Sequence, residues 1–258
     1  MVNSNYWKGL RLWLQGLLLL ALRWAQLKTG FDPETGLSVS SVPGTILAVL
    51  IVLLIVVEAA VSFRLPKGKR SYLNCMDPLG KYAVPALIIG SFLLGPGGVL
   101  SMNFDTLGIV TAAFGVAATI GLIVFVQQVR KNAKTYTMAL LPVMVFSVLF
   151  LLTVYIPEES NPVLARYYLP VLAAAMAACA FYQLAGLTCR EGALGWFAFF
   201  GDLAVTLSLA AMADCAGNLG RMLTYFGAAL VLTQFLMARR GEPLPEPEPK
   251  PEDEAEKA

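Results

Sequence analysis

The chain has 258 residues, 57% hydrophobic and 14% charged, and its mean hydropathy of +0.68 lies outside the range of a soluble globular protein. Seven of the seventeen acidic residues fall after Gly241, so the net charge of +2 hides a basic remainder. That basic charge gathers on one side of the membrane spans rather than in a nucleic-acid patch. There is no histidine, which excludes His-assisted Ser or Cys nucleophiles, His metal ligands and the commonest pH switch near neutrality.

The first expected element is an uncleaved membrane span over 6–27. Lys8 and Arg11 precede the apolar run Leu17 to Leu22 as in a signal peptide, but the run ends in Arg23-Trp24 without a small-x-small cleavage pattern. Trp7 and Trp24 suit its two interfaces, and Arg23 is expected to snorkel outward from its last turn. The outer loop that follows contains Asp32-Pro33-Glu34-Thr35-Gly36, a turn sequence: Asp before Pro disfavours helix, and Gly36 can close the turn. Asp32 and Glu34 are candidates to hold a cation or polar ligand at the outer surface. The spacing lacks the later ligands of a calcium loop, and a rigid turn between two helices is the favoured reading. The segment TGFDPETGL, Thr29 to Leu37, resembles one found after the first helix in a group of bacterial multi-pass membrane proteins with no characterised activity. The resemblance implies a membrane bundle in a prokaryotic cytoplasmic membrane and carries no site residue.

A second span over 44–63 is the most apolar stretch and fits a hydrocarbon core of about 30 Å. It is followed by Arg64, Lys67, Lys69, Arg70 and Lys81, the densest basic cluster between spans, which places this loop in the cytoplasm by the positive-inside rule. Glu58, about one and a half turns before Arg64, is expected to reach toward that charge. The third span, over 82–104, is interrupted by Gly95-Pro96-Gly97-Gly98, which predicts a broken or sharply kinked helix, or one that ends early. Because transporters use broken helices to coordinate solutes, Gly95, Pro96 and Gly97 are candidate pathway residues.

Further spans are expected over 106–129, 135–156, 163–187, 193–213 and 219–238. In the sixth, AAAMAACA, Ala173 to Ala180, provides a small-residue face for close helix packing. Asp214 and Arg221 flank the turn between the last two spans and are expected to pair locally. Of the basic residues before the tail, thirteen fall on the expected cytoplasmic segments and four, Arg23, Lys28, Arg166 and Arg221, on the other side. That asymmetry gives an all-α polytopic bundle of about eight helices with both termini inside. The remainder, 241–258, alternates Pro and Glu and reads as a disordered or extended cytoplasmic tail.

Asp202 stands out as a carboxyl about 15 Å into the seventh span. Gln15 and Thr206 are its expected hydrogen-bond partners, and no basic residue is expected at that depth. The expectation is an unpaired acid near the midplane, either coupling a cation or proton or locking helices together. The scattered Cys75, Cys179, Cys189 and Cys215 form no C-x-x-C pair, so neither a disulfide nor a thiolate metal site is expected. No P-loop, G-x-S-x-G, H-E-x-x-H or cofactor motif occurs, so the expectation is a non-enzyme without cofactor. Two functions fit: a small-solute or ion transporter, or a non-catalytic sensor or assembly subunit that binds a protein partner through its basic loops or acidic tail.

Overall fold

The computed structural model describes residues 2–32, 37–39, 41–65, 69–70, 72–101, 105–131, 137–159, 163–189 and 192–240. The tail therefore lies outside the described residues, as do Glu34, Lys67, Lys134 and Arg190. The described chain forms helices α1 (Val2–Thr29), α2 (Val42–Ser62), α3 (Tyr72–Cys75), α4 (Ala83–Leu100), α5 (Thr106–Arg130), α6 (Leu141–Tyr155), α7 (Leu164–Thr188), α8 (Leu194–Ala211) and α9 (Leu219–Met237). Two-residue strands β1 (Lys69–Arg70) and β2 (Gly192–Ala193) complete it.

Seven helices among the described residues are long and apolar enough to cross a membrane: α2, α4, α5, α6, α7, α8 and α9. This is the polytopic helical bundle expected from composition. The eighth expected span, α1, is long enough at 28 residues, but Lys8, Arg11, Arg23 and Lys28 lower its hydropathy. It nevertheless runs parallel to α8 through the same thickness, with Arg11 level with Asp202, Gly16 against Leu209 and Arg23 against Asp214.

The helix ends follow local chemistry. Ser41 caps α2 by accepting from the Gly44 N–H, with Pro43 in the first turn, and Asp105 caps α5 by accepting from Gly108. Pro142 likewise sits in the first turn of α6, which begins at Leu141 rather than near Thr135 because Thr137–Ala139 forms a separate 3-10 turn.

Helices α4 to α9 form a closed ring: each packs on the next in sequence, and α4 returns to α9. α1 lies outside the ring against α8 and α9, and α2 lies against α1 and α8. The centre is filled by Phe146, Phe150, Phe181 and Tyr225, and only about 20 Å³ remains between them, near the space of one water. Ala173, Ala174, Ala177 and Ala180 are buried, as the small-residue face predicts.

The expected break in the third span is absent: α4 is one continuous helix through Gly95, Pro96, Gly97 and Gly98. Packing on three sides overrides the weak helix propensity of these residues. A Cβ at Gly95 would collide with the Gly115 carbonyl and the Thr119 hydroxyl of α5. One at Gly97 would lie 2.8 Å from the Thr224 nitrogen of α9, and one at Gly98 would enter the Phe146 ring of α6. The glycines set the close approach of four helices.

The loop expected to be freely polar also folds. β1 pairs antiparallel with β2, Lys69 opposite Ala193, while Tyr72, Cys75 and Met76 are buried. Asp77 donates its backbone N–H to the Ala238 carbonyl, Arg240 donates its own to Cys75, and the Arg240 guanidinium reaches the Asp77 carboxylate at 2.7 Å. The segment closes one end of the bundle over the end of α9.

Candidate functional site

Asp202 is 1% exposed and is not isolated. Arg239 Nη1 lies 3.4 Å and Arg11 Nη2 3.9 Å from its Oδ2. Glu58 of α2, fully buried, lies 3.0 and 3.1 Å from Arg11 Nη2 and within hydrogen-bond reach of Asp202. Lys8, one turn before Arg11, adds its charge to the same field. Five charged groups from α1, α2, α8 and the end of α9 thus meet at one level of the bundle.

Two expectations are corrected here. Glu58 does not turn to Arg64 but inward to Arg11, and Asp202 has basic neighbours at its own depth. The depth argument failed because α1 starts at Val2, four residues before the expected Tyr6. Arg11 is therefore about 13 Å along α1, as Asp202 is about 12 Å along α8. Arg239 follows α9 and folds its long side chain back between the helices.

Neither expected partner reaches the Asp202 carboxylate. Thr206 donates its hydroxyl to the backbone carbonyls of Asp202 and Leu203 at 3.0 and 3.1 Å, the usual outlet for a threonine inside a helix. Gln15 lies between α1 and α2, with a buried Oε1 that has no hydrogen-bond partner. Gly95, Pro96 and Gly97 belong elsewhere, because Gly97 packs on Gly220 and Thr224 while Gly201, next to Asp202, packs on Leu236. Twelve residues of α9 separate the two levels, about 18 Å.

A second buried charge cluster lies at the other end of α1 and α8. Arg23 is fully buried rather than snorkelling outward. Its Nε donates to both oxygens of Asp214 at 3.0 Å, Nη1 donates to Gln26 Oε1 at 2.8 Å and Nη2 donates to the Arg166 carbonyl at 2.9 Å. The Tyr168 ring lies 5.3 Å from the guanidinium. Asp214 thus pairs with Arg23 and not with Arg221, which donates instead to the Thr153 carbonyl at 3.2 Å.

Both acceptor carbonyls have one origin. Pro170 lacks the N–H that would pair with the carbonyl of Arg166, four residues back, and Pro157 stands in the same relation to Thr153. Two arginines replace two donors that prolines remove.

In the outer turn, Asp32 donates its N–H to the Leu37 carbonyl and Phe31 pairs with Ser38, so the flanks of the expected turn come together as a hairpin. The Arg166 guanidinium lies 5.5 Å from the Phe31 ring centre. Glu34 lies outside the described residues, and with it the expected Asp32–Glu34 site. Among the described residues no three His, Cys, Asp or Glu side chains gather as metal ligands, and none of the four cysteines is in a disulfide.

The two clusters differ in saturation. The Arg23 cluster satisfies its guanidinium on every side. In the Arg11 cluster Glu58 Oε1 meets Arg11 Nη2 at 3.0 Å as an ion pair, whereas Arg11 Nε and, one turn beyond Glu58, Ser62 Oγ are buried without hydrogen-bond partners. Buried polar atoms in that condition cost roughly 1–3 kcal/mol each. Comparison with known proteins adds no family: no protein-family model, curated protein or solved structure matches the chain.

Proposed function

We propose that this multi-pass membrane protein is a transporter of a small solute or ion, and that its binding or coupling centre is the Arg11–Glu58–Asp202–Arg239 cluster. The supporting observation is the unmet hydrogen-bonding capacity of that cluster, set deep in an apolar bundle. Ionisable groups in such a place are costly and face pathways or one another. A lock between helices would be expected to resemble the saturated Arg23 cluster. The excess of basic residues at the Arg11 end supports a cytoplasmic orientation for that end, and the membrane of this reading is the cytoplasmic membrane of a prokaryote.

The alternative is a sensor or assembly subunit that docks a protein partner through two kinds of element. One is the basic loops, of which Lys69 and Arg70 pair through their backbone with β2. Its other element, the tail, lies outside the described residues. We assign the chain no catalytic role and no cofactor.

The test is thermal stability of the purified protein and of Asp202→Asn across pH, with a panel of ions, amino acids, sugars and nucleosides. A ligand that binds the folded state raises the melting temperature. We expect one ligand class to do so in the wild type and to lose its effect in the variant. A full panel without effect, with the variant as stable as wild type at every pH, would overturn the reading.

A further inference from the structure

We infer that residues 238–240 are a latch between the Asp202 cluster and the cap formed by Tyr72 to Asp77, so that whatever draws Arg239 away from Asp202 loosens the cap. The link is one residue long. Met76 pairs antiparallel with Arg239, the Asp77 N–H donates to the Ala238 carbonyl at 2.7 Å, and the Arg240 N–H donates to the Cys75 carbonyl at 2.8 Å. The backbone on both sides of Arg239 is thus tied to the cap. Successive side chains of an extended segment point to opposite sides, which sends Arg240 to the Asp77 carboxylate at 2.7 Å and Arg239 the other way, to Asp202 Oδ2 at 3.4 Å.

The two sides of the latch differ in firmness. On the cap side the bonds are short, and Cys75 and Met76 are buried. On the cluster side the Arg239 contact is longer than the roughly 2.7–2.9 Å of a full charge-assisted hydrogen bond, and Arg11 Nη2, 3.9 Å from the same oxygen, competes for it. Arg239 is therefore the member most easily displaced. The cap also has room to follow. A cavity of about 310 Å³ separates Asp77, Pro78, Leu79 and Tyr82 from Gln234 and Met237 of α9. At the other end of the cap the Tyr72 ring packs against Phe125 of α5, so the Asp77 end is the one that moves.

The coupling runs in both directions, as linked equilibria must. A closed cap holds Arg239 against Asp202, and an occupant of the Asp202 carboxylate displaces Arg239 and releases the cap. This deepens the transport reading by giving its binding centre a gate at one end of the bundle, and it rests on that reading for its purpose. Its test uses no ligand. A silent ligand panel overturns transport and leaves the latch, whereas an unresponsive cap overturns the latch and leaves transport.

Cys75 reports the cap directly, because its side chain is fully buried and its carbonyl is one of the latch acceptors. Purified protein is treated with N-ethylmaleimide, and modification of each cysteine is followed by peptide mass spectrometry. Cys215, buried in the turn between α8 and α9 at the opposite end, controls for global opening. We expect Asp202→Asn, whose side chain reaches the cap through Arg239, to speed modification of Cys75 about tenfold, as loss of one charge-assisted contact supplies, with Cys215 unchanged. Arg239→Met should speed Cys75 by a similar factor, and Asp202→Asn should add nothing in that background. The inference is overturned if either single variant leaves Cys75 at the wild-type rate, or if Asp202→Asn speeds Cys75 as much without Arg239 as with it. Acceleration of Cys215 alongside Cys75 also overturns it, since the whole bundle would then be loosening.

Discussion

Arg23 and Asp214 lie 191 positions apart in the chain and form a buried bidentate contact, both carboxylate oxygens 3.0 Å from one guanidinium nitrogen. The pair ties α1 to the end of α8, and α1 otherwise holds its place by contacts such as Trp13 Nε1 donating to Thr233 Oγ1 at 3.1 Å. Removing one partner strands the other charge in an apolar setting. Asp214→Ala is therefore expected to cost about 3–5 kcal/mol, whereas Arg23→Met with Asp214→Leu, which removes both charges, recovers most of that loss. Melting temperatures of the single and double variants in detergent check this. A double variant as unstable as Asp214→Ala would show that the cost does not come from the stranded arginine.

The pairing of arginines with prolines gives a sharper expectation. If Arg221 stabilises by capping the Thr153 carbonyl, its value depends on Pro157. Arg221→Met should cost about 1 kcal/mol in the wild type, a typical net hydrogen bond. In a Pro157→Ala background the alanine N–H can satisfy the same carbonyl, and the cost should shrink toward zero. A double-mutant cycle reads the coupling directly. Equal costs in both backgrounds would mean that Arg221 acts through something other than this carbonyl.

Much of the bundle was legible because membrane spans are written locally. Continuous apolar runs locate α2, α4, α5 and α9, the caps Ser41 and Asp105 fix helix starts, and the Ala173–Ala180 stripe marks a packing face. The charges were not legible in the same way. Asp202, Glu58, Arg11 and Arg239 come from four separate places in the chain, and only the register of α1 against α8 brings them level. Placing the start of α1 at Tyr6 instead of Val2 left Arg11 only about one and a half turns into the first span, too shallow to meet Asp202, which then looked alone. Likewise Asp214 and Arg221 look paired because they are near in sequence, but the 3-10 turn at Met212–Cys215 brings Asp214 to Arg23 of α1. The Gly95–Gly98 stretch misled for a related reason: intrinsic propensity describes a helix on its own, and this one is held by its neighbours.

That account of the third span makes its own prediction. Gly95 faces the Gly115 backbone and Thr119, whose hydroxyl donates at 3.1 Å to both the Ser91 and Gly115 carbonyls. Backbone cannot move aside as a flexible side chain can. Gly95→Ala should therefore destabilise by about 1–3 kcal/mol through overpacking, even though alanine is the better helix former. Gly80 has open space around its missing Cβ, and Gly80→Ala should be neutral or stabilise by about 0.4–1 kcal/mol. If the glycines instead served a helix break, Gly95→Ala would stabilise the fold while impairing function, and melting temperature separates the two outcomes by sign.

Tyr72 provides a pH test at the end of the bundle, outside the spanning segments. Its ring packs edge-on against Phe125 with centroids 5.4 Å apart, and its hydroxyl is buried without a hydrogen-bond partner. Burial pushes the phenol well above its ordinary value, since the charged form would lose its hydration. In the unfolded chain the phenol ionises near its usual value of about 10. The raised folded value therefore leaves the native contribution of Tyr72 intact below about pH 10 and erodes it above, where only the unfolded state releases the proton. Tyr72→Phe keeps the ring contact and removes both the unpaired hydroxyl and the ionisation. It should match or exceed wild-type stability by about 1 kcal/mol at neutral pH, and the difference in melting temperature should widen above about pH 10. The other tyrosines are common to both proteins, so the widening isolates this one. A difference that stays constant across that range would show that Tyr72 ionises as freely in the folded protein as in the unfolded chain.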